Sequence, residues 1–147
     1  MKIVIVCFAN YCRSPVAEYL LKEGYKDIEF FSAGMDPYPD SNMDKRSISF
    51  LESMGIKNIT HNPRKITKEM IEACDFILAM DLKILQALNL KFPQYSKKFK
   101  IFSYRETSVD LSDPFKNDLK RYNEIMTNIK YLCKNFLQRF SIRLTDQ

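Results

Sequence analysis

The 147 residues, 46% apolar and 28% charged, suit a single domain spanning 1–147 with one core. No apolar run reaches the roughly 20 residues of a membrane span, and the apolar start is cut by Asn10 and Arg13 too soon for a secretory leader, which points to a cytoplasmic protein that does not engage membranes. The net charge of +5 is scattered through "KEGYK", "KFPQYSKKFK" and "KNDLKRYNE" among acids, the mark of a solvated surface that favours anionic substrates and not of a nucleic-acid-binding face.

"KIVIV" (2–6) is a continuous β-branched run, as in a strand buried on both faces. Ser14 as N-cap and Pro15 as first helical residue predict a helix over 15–24, closed by Gly24. "IEFFSAG" (28–34) predicts a second strand and so a right-handed βαβ unit. A helix is expected over 41–56, ending at Gly55, and a short Thr-capped one over 67–74. "DFILAMD" (75–81) reads as a third strand, 82–90 as a helix and 97–104 as a fourth strand. Residues 109–118 carry the Asp, Ser and Pro of a loop. A long amphipathic helix follows over 119–140, with Leu119, Tyr122, Ile125, Met126, Ile129, Leu132, Cys133, Phe136 and Leu137 on one face. Residues 141–147 read as a frayed tail. The order predicts an α/β fold: a three-layer domain with a four-stranded, mostly parallel sheet flanked by helices.

In such sheets ligands bind beyond the carboxyl ends of the strands, which is where Cys7 falls. A loop between strand and helix can turn several N–H groups into one hollow, and the helix adds its positive end. Arg13 supplies a planar fork for two phosphate oxygens. The donors that bind an anion also favour a thiolate at Cys7, poised for in-line attack on phosphorus. Asp113, in "SDPF", is the candidate acid and base, with Asp110 as the alternative, and Phe115 is a candidate cleft wall. Taken alone, Cys7 reads as a small core residue at a strand end, and an Asp-Pro such as Asp113-Pro114 also serves as a turn cap; together with Arg13 and Ser14-Pro15 they point to catalysis. Cys74 and Cys133 lie on apolar faces as inert thiols. With no CxxC pair and one histidine, a structural zinc site is not expected, and the default for all four cysteines is a free thiol.

The stretch "VCFANYCRSPVAE" resembles the signature of the low-molecular-weight protein tyrosine phosphatases, Cys-x-Gly-Asn-x-Cys-Arg-Ser-Pro. "SAG" (32–34), "HNPRKIT" (61–67), "DFILAMD" and "SDPF" are similar to later parts of that family, in the same order. The resemblance implies a phosphate-binding loop of Cys7, Phe8, Ala9, Asn10, Tyr11, Cys12, Arg13 and Ser14 after the first strand. It makes Cys7 the nucleophile, Arg13 the clamp, Ser14 a donor to the sulfur and Asp113 the acid. It implies that Asn10, Ser32 and His61 support the loop from behind, and that Cys12 is a redox partner able to trap an oxidised Cys7 as a disulfide. Tyr38 and Phe115 would flank the substrate ring, and Tyr11 would border the entrance. Ala9 departs from the family's glycine, and a positive φ there would strain it. Met35 and Lys116 are further departures.

The function so implied is hydrolysis of phosphotyrosine in a protein or peptide through a cysteinyl-phosphate, with no metal or organic cofactor. Nothing in the pattern specifies an oligomeric state. A phosphoarginine phosphatase would use the same chemistry. A thioredoxin-linked arsenate reductase would need a cysteine relay that Cys74 and Cys133 do not form in sequence. An idle phosphate-binding module would not need Cys7, Arg13 and Asp113 all intact.

Overall fold

β1 (Lys2–Cys7) has Ile3, Val4, Ile5 and Val6 wholly buried because it lies inside the sheet and is covered on both faces. The computed structural model describes residues 1–40 and 42–142. β2 (Glu29–Gly34) pairs with one edge of β1, and β3 (Phe76–Ala79) with the other; β4 (Phe99–Ile101) follows β3. The sheet order is β2-β1-β3-β4 and every pairing is parallel. Cys7 lies opposite Gly34 at the carboxyl ends of these two strands.

The period of two along β1 sorts its side chains into two cores. Ile3, Ile5 and Cys7 share one with residues of α1 (Arg13–Gly24), α2 (Lys45–Ser53) and α5 (Leu119–Lys134). Val4 and Val6 share the other with α3 (Lys68–Ala73) and α4 (Leu82–Lys91). The result is the expected three layers, with the sheet between helices. No described helix is long and apolar enough to cross a membrane.

Several boundaries move for local reasons. α1 begins at Arg13, so Ser14 is not its cap and Pro15 falls at the third position, still inside the first turn where no intrahelical N–H is needed. Gly24 is the last helical residue and not a left-handed cap; Tyr25 follows in extended conformation. α2 starts only at Lys45 because the Asp44 carboxylate caps the Arg46 N–H, and Ser41 lies outside the described residues. Gly55 does end that segment at φ +85°. Thr67 caps α3 as expected, through the Met70 N–H. β3 ends two residues early because Asp81 becomes the N-cap of α4, accepting from the Ile84 N–H. β4 keeps only three residues, since Pro93–Lys98 forms a 3₁₀ turn.

The last helix is broken. Tyr25 Oη donates to the carbonyls of Cys133 and Lys134, and the chain resumes as α6 (Phe136–Arg139) after Asn135. Its buried face is as expected from Tyr122 to Phe136, but Leu119 is exposed at the first turn and Leu137 is half-buried. Of the expected frayed tail, Ser141 and Ile142 are tied back, Ile142 N–H donating to Leu137; residues 143–147 lie outside the described residues.

Candidate active site

Residues 8–12 join β1 to α1, and their neighbours take every carbonyl from Cys7 to Cys12. The Met35, Asp36 and Tyr38 N–H groups donate to Cys7, Phe8 and Ala9 at 3.2, 2.9 and 2.9 Å. His61 Nε2 donates to Asn10 at 2.7 Å, the Asp44 N–H to Tyr11 at 2.9 Å, and Ser47 Oγ to Cys12 at 2.9 Å. Across a trans peptide the C=O and the next N–H point opposite ways, and no peptide here is cis. Six carbonyls held outward therefore turn the N–H groups of residues 8–13 inward. Those of residues 8–12 have no protein partner among the described residues. This ring of free amides, closed by the start of α1, is a cradle for an anion.

The departure from glycine at Ala9 brings no strain, because φ is not positive there. Asn10 is the loop residue with positive φ, at 50°, a conformation asparagine tolerates better than most residues. Its buried side chain holds the turn: Nδ2 donates to Ser14 Oγ at 2.9 Å and Ser32 Oγ at 3.0 Å, and Oδ1 accepts from the Arg64 N–H at 3.0 Å. Ser32 in turn donates to Glu18 at 2.5 Å. Burial holds the His61 imidazole below its usual pKa of 6.5, overriding the Asn10 carbonyl, so a neutral ring donates through Nε2. Asn10, Ser32 and His61 thus gather behind the loop.

Cys7 Sγ lies 2.9 Å from Ser14 Oγ. Arg13 is buried, and Nη1 donates to Asp81 Oδ2 at 2.7 Å and to the Leu111 carbonyl at 2.8 Å. Burial pulls the guanidinium pKa down, but Cys7 and Asp81 outweigh it and the cation is favoured. Nη2 lies 4.0 Å from Asp113 Oδ2. Asp113 is half exposed, and its Oδ1 accepts from the Phe115 N–H at 3.1 Å. The alternative, Asp110, is occupied: bonds from Ser112 and the Arg121 guanidinium hold its carboxyl below the usual range.

Cys7, Arg13 and Asp113 line one cleft of about 230 Å³. Cys7, Phe8, Ala9, Tyr11, Cys12 and Arg13 form its floor and near side; Tyr38, Asp113, Phe115 and Lys116 complete it. The Tyr11 and Tyr38 rings stack with centroids 4.1 Å apart, and Phe115 meets Tyr38 at 5.8 Å. A larger hollow of about 430 Å³, lined by residues of α1 and α5 among others, has one thiol, Cys133, which burial keeps protonated, and one carboxylate, Glu23, but no arginine. All four cysteines are free thiols. Burial and Asp44 push the Cys12 thiol up to about 12, against a hydrogen bond from Tyr122 that lowers it.

Asp81, Gly34 and the Asp44–Arg46 pair were not singled out from sequence. Asp81 carried a signal, an acid closing an apolar strand at the sheet's carboxyl edge. Gly34 carried one only as part of "SAG": a methyl there would lie 2.8 Å from Asn10 N and from Phe8 O.

Residues 2–144 match the family described as Low molecular weight phosphotyrosine protein phosphatase. The low molecular weight protein-tyrosine-phosphatase Ptp of Acinetobacter johnsonii is 29% identical over 123 residues, covering 83% of this chain and 85% of its own. The solution structure of a low molecular weight protein tyrosine phosphatase from Bacillus subtilis superposes with a TM-score of 0.83 at 26% identity, over 96% of this chain and 97% of that one. The YwlE arginine phosphatase, solved with a phosphorylated serine replacing its active-site cysteine, superposes with a TM-score of 0.87 at 25% identity, over 97% of each chain.

Proposed function

Because the chain belongs to the low molecular weight phosphotyrosine protein phosphatase family, we propose that it hydrolyses phosphotyrosine in proteins or peptides through a cysteinyl-phosphate. The observation that carries this is the shared cleft: the Cys7 sulfur, the Arg13 guanidinium and the Asp113 carboxyl line one hollow walled by aromatic rings. The inward amides of residues 8–13 and Arg13 bind the three equatorial oxygens and stabilise the charge they carry in the transition state. The Cys7 thiolate attacks phosphorus opposite the ester oxygen; the S–P bond forms as the P–O bond breaks. Asp113 gives its proton to the departing phenolate. Water then attacks phosphorus, Asp113 takes its proton, and the S–P electrons return to sulfur. Ser14 Oγ, 2.9 Å away, donates to the thiolate at either end of the cycle.

Depth supports phosphotyrosine over phosphoserine. Tyr11, Tyr38 and Phe115 wall the cleft that holds Cys7, and a phenyl ring packs against them where a serine methylene does not reach. Phosphoarginine is the second candidate, favoured by the likeness to YwlE; Lys116 on the cleft opposes a cationic guanidinium.

The test is turnover of 4-nitrophenyl phosphate without added metal, repeated with Cys7→Ser, with acid-quenched enzyme digested to find phosphate on the Cys7 peptide. Loss of turnover in the variant and a labelled peptide are expected. A metal requirement, or turnover that survives Cys7→Ser, overturns the mechanism. Matched phosphotyrosine, phosphoserine and phosphoarginine peptides then decide the substrate.

A further inference from the structure

Arg46 lies outside the cleft, yet its guanidinium touches the segment that carries Asp113. Nη2 donates to the Phe115 carbonyl and Nη1 to the Asn117 carbonyl, both at 3.0 Å. The same group is gripped from the other side. Nε donates to Asp44 Oδ1 at 3.0 Å and Nη2 to Oδ2 at 2.9 Å, and Cζ lies 4.0 Å from the Tyr122 ring centroid. Burial alone would raise the Asp44 carboxyl; the bonds from Arg46 override it and keep it ionised.

Asp44 is also fixed to the phosphate cradle. Its N–H donates to the Tyr11 carbonyl at 2.9 Å, and the Cys12 thiol lies 3.9 Å from Oδ2. The chain of contacts runs from the cradle through Asp44 and Arg46 to the Phe115 carbonyl. On the same residue, the Phe115 N–H holds Asp113 Oδ1 at 3.1 Å, which leaves Oδ2 to face Arg13. Residues 113–117 have no regular secondary structure, and Asp113 itself is half exposed. Their placement over the cradle therefore depends on side-chain ties, and Arg46 supplies two of them.

We propose that Arg46 is a positioning residue for the reaction: locked by Asp44, it sets the Asp113 segment in register with the phosphate cradle, and so sets the acid's distance to the leaving oxygen. This rests on Asp113 being the acid, as proposed above. A lysine at 46 cannot serve two carbonyls and a bidentate carboxylate at once.

The test is kcat/KM for aryl phosphates of graded leaving-group basicity, from 4-nitrophenyl to phenyl phosphate, with inhibition by inorganic phosphate measured alongside. A poor leaving group needs the acid and a good one does not. General acids contribute about 10²- to 10⁴-fold and small misplacements forfeit part of that, so Arg46→Met is expected to lower kcat/KM for phenyl phosphate by about 10-fold and for 4-nitrophenyl phosphate by less than about 3-fold. Phosphate inhibition should stay within about twofold, since the cradle's own donors are untouched. Arg46→Lys should fall between wild type and Arg46→Met, and serves as the decisive variant should Arg46→Met fold poorly. A loss equal for both substrates, or a matching loss of phosphate inhibition, would mean a general structural role and overturn the proposal. So would no loss at all. Asp113→Ala is run in parallel: if it shows no dependence on the leaving group, the assignment of the acid has failed; if it does and neither Arg46 variant does, the positioning role alone has failed.

Discussion

Ser14 Oγ stands 2.9 Å from Cys7 Sγ while accepting from Asn10 Nδ2 at 2.9 Å. With one lone pair committed to Asn10, the hydroxyl's single proton has the sulfur as its near acceptor; the Ala33 carbonyl is at 3.5 Å. A hydrogen bond to a charged group is worth about 1.5–3 kcal/mol, so Ser14→Ala should lower kcat by roughly 10- to 100-fold. Inhibition by inorganic phosphate should change little, because the amides and Arg13 remain. Steady-state kinetics with phosphate as competitor checks both, and an undiminished kcat would remove Ser14 from the mechanism.

Gly34 meets the cradle from β2. A methyl on it would sit 2.8 Å from Asn10 N and Phe8 O and 3.0 Å from Ala9 C, all of them backbone atoms that cannot swing aside. Gly34→Ala should therefore push the loop away from the strand. Overpacking of this kind costs about 1–3 kcal/mol, read as a lower denaturation midpoint. Displacing the cradle should also cut turnover by about 10²-fold, as misplacements near 1 Å do. Gly24→Ala is the control: a methyl there meets nothing within 4 Å, and helix propensity favours alanine by about 1 kcal/mol, so that variant should be neutral or more stable.

The fold and the loop were legible because the pattern and the chemistry agreed. The runs 2–6 and 75–81 have the continuous apolar character of strands covered on both faces, and both lie inside the sheet. Cys7 and Arg13 announced themselves by falling at a strand end and a helix start. The rest depended on contacts far apart in sequence. Ser14 looked like a helix cap, yet its hydroxyl is drawn to Cys7 and Asn10, and the helix starts two residues earlier, at Arg13, without a side-chain cap. A positive φ at Ala9 would have strained it, but the carbonyls that neighbours hold outward put the positive φ on Asn10. Asp81 reaches Arg13 across 68 positions and Arg46 reaches Asn117 across 71, which no local pattern encodes.

His61, the chain's one histidine, gives a pH signature. Burial lowers its folded-state pKa below 6.5, so the unfolded chain takes up the proton first. Its stabilising contribution is present above 6.5 and is lost as pH falls below that value. The denaturation midpoint should drop between about pH 7 and about pH 5, and His61→Gln, whose amide can still donate to Asn10, should show a shallower fall. NMR of the single imidazole should give a midpoint below 6.5; a midpoint above it would reverse the sign and remove the effect.

The four thiols should differ sharply in reactivity. Thiolate, not thiol, attacks alkylating reagents. Cys12 lines the cleft beside Cys7, but burial and Asp44 push it up to about 12. At neutral pH that leaves about 10⁻⁵ of it ionised. Burial raises Cys74 as well, and Cys133 is raised further still, the nearby Arg139 lowering it too little to offset the loss of water. Cys7 alone combines access to the cleft with a hydroxyl donor and a neighbouring guanidinium. Iodoacetate at neutral pH should therefore label one cysteine per chain, on the Cys7 peptide, and inorganic phosphate should protect it by filling the cradle. The same difference makes Cys12 a slow partner for an oxidised Cys7, because disulfide formation also needs its thiolate. After brief peroxide treatment, mass spectrometry should find Cys7 oxidised before any Cys7–Cys12 bridge accumulates; a bridge as the first product, or label on Cys12 at neutral pH, would mean that its thiol ionises far more readily than its burial allows.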